Sequence, residues 1–420
     1  MQTQRTESTE TQASGLRALP RNVWVVTLTS FLTDISSEMV VNLIPLFLAS
    51  VLGVKTGVIG LIEGVAETTA SLLKVFSGWF SDRLGRRKWL TVTGYGLSTV
   101  AKPFLYVVTS WWGVLAVRFA DRVGKGIRTA PRDALVAASI DARHRGLAFG
   151  LHRAGDTAGA ALGLVIALLV VLATQAGQVT LTRETFQAAV LLSVIPAALA
   201  VLVLAVGARD VEVKGNQAER PRLMLAGFDR RFRLFLLAVV VFTLGNSADA
   251  FLILRANNLG VSVAGVLGML VTFNVVYALV AGPAGALSDR VGRRRLIVGG
   301  WAVYALIYLG FAAASAWWHV WALYAIYGVY YGAVEGTAKA LVADLVTEER
   351  RGTAYGVYNA AVGVMALPAS LIAGVLWQGI AGWAGLGPSA PFLFGAIMAL
   401  AAASIVYAAL RRPAAGGHAA

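Results

Sequence analysis

An eleven-residue stretch occurs twice in this chain, and its recurrence constrains the fold more than any other feature. Gly78 to Lys88 reads G-W-F-S-D-R-L-G-R-R-K, and Gly285 to Arg295 reads G-A-L-S-D-R-V-G-R-R-R. Asp82 and Asp289 lie 207 positions apart, close to half of the 420 residues. Further traces keep the same offset. Leu52-Gly53-Val54 returns as Leu259-Gly260-Val261 at 207, and Ala134 to Ala137 (A-L-V-A) returns as Ala340 to Ala343 at 206. Arg145-Gly146 likewise returns as Arg351-Gly352. A fixed offset over this distance marks a duplication, so two similar units are expected in tandem.

Each copy of the stretch lies between apolar runs of membrane-spanning length. Apolar residues make up 57% of the chain and charged residues 14%, where soluble chains carry about 25% charged. A spanning helix needs about 20 mostly apolar residues. Twelve runs fit: 22–50, 57–80, 89–110, 113–138, 147–173, 186–207, 234–254, 263–287, 296–315, 319–345, 353–378 and 390–410. In lipid the backbone must satisfy its own hydrogen bonds, so all twelve are read as helices. The predicted fold class is therefore an all-α membrane protein with two pseudo-symmetric six-helix bundles, 22–207 and 234–410. They are joined by a polar linker, 208–233, in which Leu223–Phe228 reads as a short interfacial helix. Polar tails, 1–21 and 411–420, flank them, and the first has no signal-peptide layout.

The net charge of +14 would suggest nucleic acid if it were spread evenly. It is not. Of 36 Lys and Arg residues, 24 fall in tails and loops on one side, three (Lys55, Arg183, Arg255) on the other, and nine inside spans. That is the positive-inside pattern, so both termini and both repeated loops are expected on the cytoplasmic face of the inner membrane, with no nucleic-acid partner. Trp111, Trp112, Trp317 and Trp318 begin loops on the outer side and read as interfacial anchors. The absence of cysteine excludes disulfides and thiolate metal sites, and no metal or cofactor is expected.

G-x-x-x-D-R-x-G-R-R between the second and third spans, repeated between the eighth and ninth, resembles the signature loop of the major facilitator superfamily of transporters. The resemblance covers roughly residues 22 to 410 and implies that family's twelve-helix, two-half fold. Arg122-Val-Gly-Lys125-Gly126 resembles the R-x-x-Q-G element on the family's fourth helix, with Lys125 in place of Gln. Gly155 to Gly163 keeps the glycine spacing of an element on the fifth helix of its exporters but lacks the Pro, and close helix packing explains those glycines as well. The resemblance is to the drug/proton antiporter-like bacterial members.

Charges inside spans cost roughly 2.5–3.5 kcal/mol each on insertion scales, so each marks a functional hypothesis. Asp34, Glu38 and Asn42 recur every four residues and share one helix face. Glu63, Glu67 and Lys74 share another. Arg118, Asp121, Arg122, Lys125, Arg128, Arg132 and Asp133 form a stripe on the fourth span. The first two sets sum to −3 and the stripe to +3, so they are expected to face each other inside the first half. Either a structural ion network or a proton-coupling site explains them. The coupling candidates are Asp34, Glu38 and Glu67, opposed by Arg118, Arg122 and Lys125. In the repeated loops, Gly78, Asp82, Arg83, Gly85, Arg86 and Arg87, with Gly285, Asp289, Arg290, Gly292 and Arg293, are expected to act as gating contacts, Arg86 or Arg87 reaching Asp133.

The second half carries fewer charges and more rings. Asn42, Asp249, Asn274, Tyr327, Tyr331, Glu335, Lys339 and Tyr358 are the expected cargo contacts, with Glu335 and Lys339 spaced as a helical pair. A small organic solute, protons and the bilayer are the expected partners, acting on a monomer. The reading is alternating-access transport by a protein that is not an enzyme: proton-coupled efflux, or alternatively uptake of an anionic solute. A sensor or membrane enzyme on a transporter fold is a distant alternative, and no hydrolase or phosphate-binding motif supports the latter.

Overall fold

The structure is a computed structural model that describes residues 19–84, 87–141, 144–211, 227–347 and 350–409. Within these stretches the side chains of residues 82, 282, 284–290, 335, 336 and 352 are left aside. Gly85 and Arg86, and most of the segment expected as an interfacial helix, therefore lie outside the described residues.

Among the described residues, twelve helices follow one another, each interrupted helix counted once. In the first half these are α1 (Arg21–Val41, resuming at Ile44–Leu46 and running on through a wider turn, Phe47–Val51), α2 (Thr56–Leu84), α3 (Lys88–Ala101, tightening over Lys102–Tyr106), α4 (Trp111–Ala138), α5 (Arg145–Gln175) and α6 (Arg183–Gly207). In the second they are α7 (Arg230–Gly245, resuming as Ala250–Asn258), α8 (Val263–Val291), α9 (Arg293–Ala313), α10 (Trp317–Asp344), α11 (Arg351–Gln378) and α12 (Ala390–Ala409). Side chains cap several starts. Ser110 accepts from Gly113 N at 3.4 Å, Thr182 from Thr185 N at 3.3 Å, and Asp229 from Arg230 N at 2.7 Å. Each satisfies a backbone donor that the helix itself cannot.

Eight of these helices are long and apolar enough to cross a membrane on composition alone. Among the described residues α2, α3, α4 and α10 are not. The first and third of these carry the ionic stripes, and α10 is rich in Tyr and Trp. Such helices need neighbours to shield their polar side chains from lipid. The duplication repeats in the packing: α1 lies on α5 and α6, α2 and α3 on α4, and correspondingly α7 on α11 and α12, α8 and α9 on α10. The result is two six-helix bundles of like plan.

Between the bundles, α2 packs on α11 and α5 on α8. The repeated loops and both described chain ends lie at one end of the molecule, the motif end. There Asn22 of α1 ties Ser139 and Arg209 together at 2.8 and 2.9 Å. At the opposite, far end the halves bond directly. Thr56 N donates to Gln378 Oε1 at 2.7 Å, Val263 N to the Gln178 carbonyl at 3.0 Å, and Asn257 Nδ2 to the Val179 carbonyl at 2.6 Å. The far end is closed.

Closure depends on glycine. A Cβ on Gly374 would lie 2.6 Å from Gly57 Cα and 2.6 Å from the Thr56 carbonyl, inside the backbone of the other half. Gly374→Val is thus expected to hold the far end apart. A single cysteine introduced at buried Thr56 reports this cleanly in a cysteine-free chain: it should gain reactivity toward a membrane-impermeant maleimide by tenfold or more. Unchanged protection would contradict the packing. On α5 the expected close-packing role of the glycines is met, since a Cβ on Gly159 would come within 3.0 Å of Phe31 Cα on α1.

Candidate functional site

Helices α1 and α7 are both interrupted, at equivalent places. The first breaks at Asn42-Leu43 and the second over Asn246–Asp249, and Asn42 and Asp249 stand 207 apart. Interrupted helices at membrane depth are tolerated where the freed backbone lines a cavity. That is the case here. A cavity of about 510 Å³ lies between the halves, and both breaks open onto it. At the first break Asn42 donates back to Glu38 Oε2 at 2.7 Å, while Tyr304 donates to Asn246 Oδ1 at 3.0 Å at the second.

The expected site residues converge to a large extent. Glu38, Asn42, Glu67, Arg118, Arg122, Lys125, Asp249, Asn274 and Tyr331 all line this cavity. The facing of charge stripes expected from their −3/+3 sums is present in the contacts of α2 with α4. Arg118 Nη2 bonds Glu63 Oε2, both nearly inaccessible at 2% and 8% side-chain exposure. One turn along, Arg122 Nη2 stands 3.4 Å from Glu67 Oε1; here the Arg is 8% exposed and the Glu 45%. Both pairs line the cavity, the first nearly inaccessible and the second with its carboxylate at the water boundary.

Other expected residues sit elsewhere. Asp34 is a turn nearer the motif end and does not line the cavity. Tyr327, expected as a cargo contact, packs instead at 1% exposure against Phe273, Tyr304 and Tyr308, because α10 turns Tyr331 toward the cavity in its place. Lys339 and Tyr358 line a neighbouring chamber, and the side chain of Glu335 is not described. Asp133 pairs with Arg132 at 2.8 Å, while Arg87 donates to the Ala134 carbonyl at 3.0 Å. In the second half Arg293, which the motif aligns with Arg86, makes the equivalent contact, donating to the Ala340 carbonyl at 3.1 Å and bonding Asp344. These loop contacts join the second-to-third-span turn to the end of the fourth helix within each half. Gly292 has φ +91°, a left-handed conformation that explains glycine in the D-R-x-G turn.

Two groups in this region are not among the candidates named from sequence: Glu63, placed only on the charged face of the second span, and Lys102. Glu63 shares the α2 face with Glu67, and spacing alone does not say which acid meets Arg118. Lys102 is buried at the end of α3, where Nζ donates to Ser36 Oγ at 2.6 Å and Ser37 Oγ at 3.1 Å. A lysine inside an apolar run was the available signal.

The halves have diverged in chemistry at matching positions. With the 206 offset, Ser98, Lys102, Arg118 and Asp121 of the first half correspond to Tyr304, Tyr308, Tyr324 and Tyr327 of the second. The ionic network of one half is an aromatic cluster in the other, where Tyr304 stacks on Tyr308 with centroids 4.1 Å apart.

Two like bundles around a polar cavity at membrane depth define a multi-pass membrane transporter. The model of the Major Facilitator Superfamily matches residues 26–262 and 234–420. An uncharacterized MFS-type transporter of Methanocaldococcus jannaschii is 35% identical over 390 residues, covering 91% of this chain and 94% of the relative. Multidrug resistance protein MdtG of Serratia proteamaculans is 26% identical over 353 residues, 81% and 82% of the two chains. Among solved structures, that of the nucleoside transporter NupG superposes with a TM-score of 0.74 at 14% identity, over 93% of this chain and 100% of that one, a likeness of fold alone. The chain belongs to the major facilitator superfamily.

Proposed function

We propose that this protein is a proton-coupled secondary transporter of the inner membrane, acting as a monomer with both termini cytoplasmic, that exports a small organic solute by alternating access. The observation that carries the coupling is the unequal pair of ion pairs on α2 and α4. Glu63 and Arg118 are both sealed, which suits a structural clamp. Glu67 is 45% exposed beside an Arg122 only 8% exposed, which suits a carboxylate that trades a cation for a proton as water access changes. Glu38 at the α1 break and Asp34 below it are the further acids on this path. The similarity to a multidrug resistance protein supports export.

In this reading the far-end closure gives one state, and the paired loops at the motif end stabilise the other. Asp82→Asn and Asp289→Asn are expected to lower transport at least tenfold while leaving membrane insertion intact. Flux in proteoliposomes of the folded variants checks this, and native rates in both would remove the gating role. The function as a whole is tested by a growth-inhibition panel with and without the protein, followed by flux of the hits into proteoliposomes under an imposed pH gradient. Flux that ignores the gradient would refute proton coupling.

A further inference from the structure

Beside the central cavity, a second chamber of about 320 Å³ lies inside the second half, between α7, α9, α10 and α11. The two share Thr243, Asn246, Tyr331 and Val362 as walls, so they adjoin. Its counterpart in the first half is occupied by side chains. There Arg128 lies over the Tyr95 ring, 4.4 Å from its centroid, and donates to Ser98 Oγ at 2.7 Å. Arg132 Nη1 donates to Ser30 Oγ at 3.1 Å. At the 206 offset, Arg128 and Arg132 become Val334 and Ala338, Tyr95 becomes Trp301, and Asp133 becomes Lys339. All four second-half residues line the chamber. Two arginines have been shortened to small apolar groups, which opens the space, and the acid at its lip has been exchanged for an exposed lysine.

What remains is a chamber walled largely by aromatic rings. Phe242 and Trp301 stack at 4.7 Å with planes 10° apart, and Tyr330, Tyr331 and Tyr358 add further ring surface. Rings of this kind take an aromatic guest by offset or edge contacts. Among the described residues Lys339 is the charged group lining the chamber, and an ammonium at the edge of an apolar wall selects a carboxylate. We infer that this chamber binds the ring of an aromatic carboxylate, with the acid group on Lys339. This assignment rests on the transporter reading but not on its coupling or direction.

The test uses purified full-length protein in detergent and tritiated 1-naphthoate as probe. Saturable binding is expected. It should be competed by unlabelled 1-naphthoate, and at least tenfold less well by 1-naphthylmethanol, which lacks the charge, and by cyclohexanecarboxylate, which lacks the ring. Lys339→Met should weaken binding at least tenfold and Lys339→Arg by less than threefold. Val334→Arg restores the first-half residue and should abolish binding by filling the chamber. Because that arginine is placed in a buried position, its melting temperature is read alongside. Lys339 is exposed, so Lys339→Met decides the matter if Val334→Arg does not fold. No binding of 1-naphthoate, equal competition by the neutral alcohol, or Lys339→Met within twofold of wild type would each overturn the assignment. Naphthoate binding without pH-gradient-driven flux would leave it standing and refute the coupling. Gradient-driven flux of other solutes without naphthoate binding would do the reverse.

Discussion

Glu63→Leu is expected to lose more folded protein than any other single change along the cavity wall. Arg118 is 2% exposed and bonded to Glu63, so removing the carboxylate strands a guanidinium in the interior. Breaking a buried pair from one side costs about 3–5 kcal/mol, enough to depress the melting temperature in detergent severely. Replacing both partners, Glu63→Leu with Arg118→Met, should recover most of that loss, because two apolar groups of similar bulk need no mutual compensation. The pair of melting curves is decisive. If the single and the double change are equally destabilising, the two residues do not act as a unit, and the sealed clamp is not what holds α2 to α4.

Glu67→Gln is expected to behave in the opposite way. Its carboxylate is 45% exposed and makes a long ion pair, 3.4 Å, with Arg122, so neutralising it should leave the melting temperature within a few degrees of wild type. What it should remove is energy coupling: accumulation driven by a pH gradient falls to background, at least a hundredfold, while downhill exchange of cargo continues. Glu38→Gln and Asp34→Asn are expected to fall between these extremes. Each has a local anchor or a deeper position, Glu38 through Asn42 at 2.7 Å and Asp34 outside the cavity lining. Undiminished gradient-driven accumulation in all three variants would place the coupling outside the first half.

The contrast between Glu63 and Glu67 shows where sequence ceases to be informative. Both residues lie on one face of α2, and the stripe of cations on α4 was visible from its spacing. Their facing followed from charge balance alone. Which acid would be sealed and which wet depends on the depth at which α2 crosses α4, and the crossing point is set by glycines and small residues on neighbouring helices. Eight of the spans were legible for a simpler reason: about 20 apolar residues have few structural options in a bilayer; the other four followed from the duplication. The breaks at Asn42-Leu43 and Asn246–Asp249 were not. Polar residues there suggested contacts, and only Pro45, which disfavours helix in the residue before it, hinted at an interruption. Tyr327 and Tyr331 are one turn apart, so the rotation of α10, invisible in a helix that is aromatic on several faces, decided which of them faces the cavity. The relation of Arg128 and Arg132 to Val334 and Ala338 was present in the 206 offset, but its meaning required the chamber that the exchange creates.

Alternating access is tested most directly by measuring both ends of the molecule at once. The absence of cysteine permits spin-label pairs without background: Lys55 with Leu386 at the far end, and Leu84 with Val291 at the motif end, all exposed positions. Electron–electron distance distributions are recorded in nanodiscs at pH 8 and pH 5.5. The expected result is that the two distances shift in opposite directions with pH, the far-end pair starting from the short distance of the closed state, and that Glu67→Gln abolishes the response. Two distances that move together, or a pH response that survives neutralisation of Asp34, Glu38 and Glu67 alike, would contradict a proton-driven exchange between two closed ends.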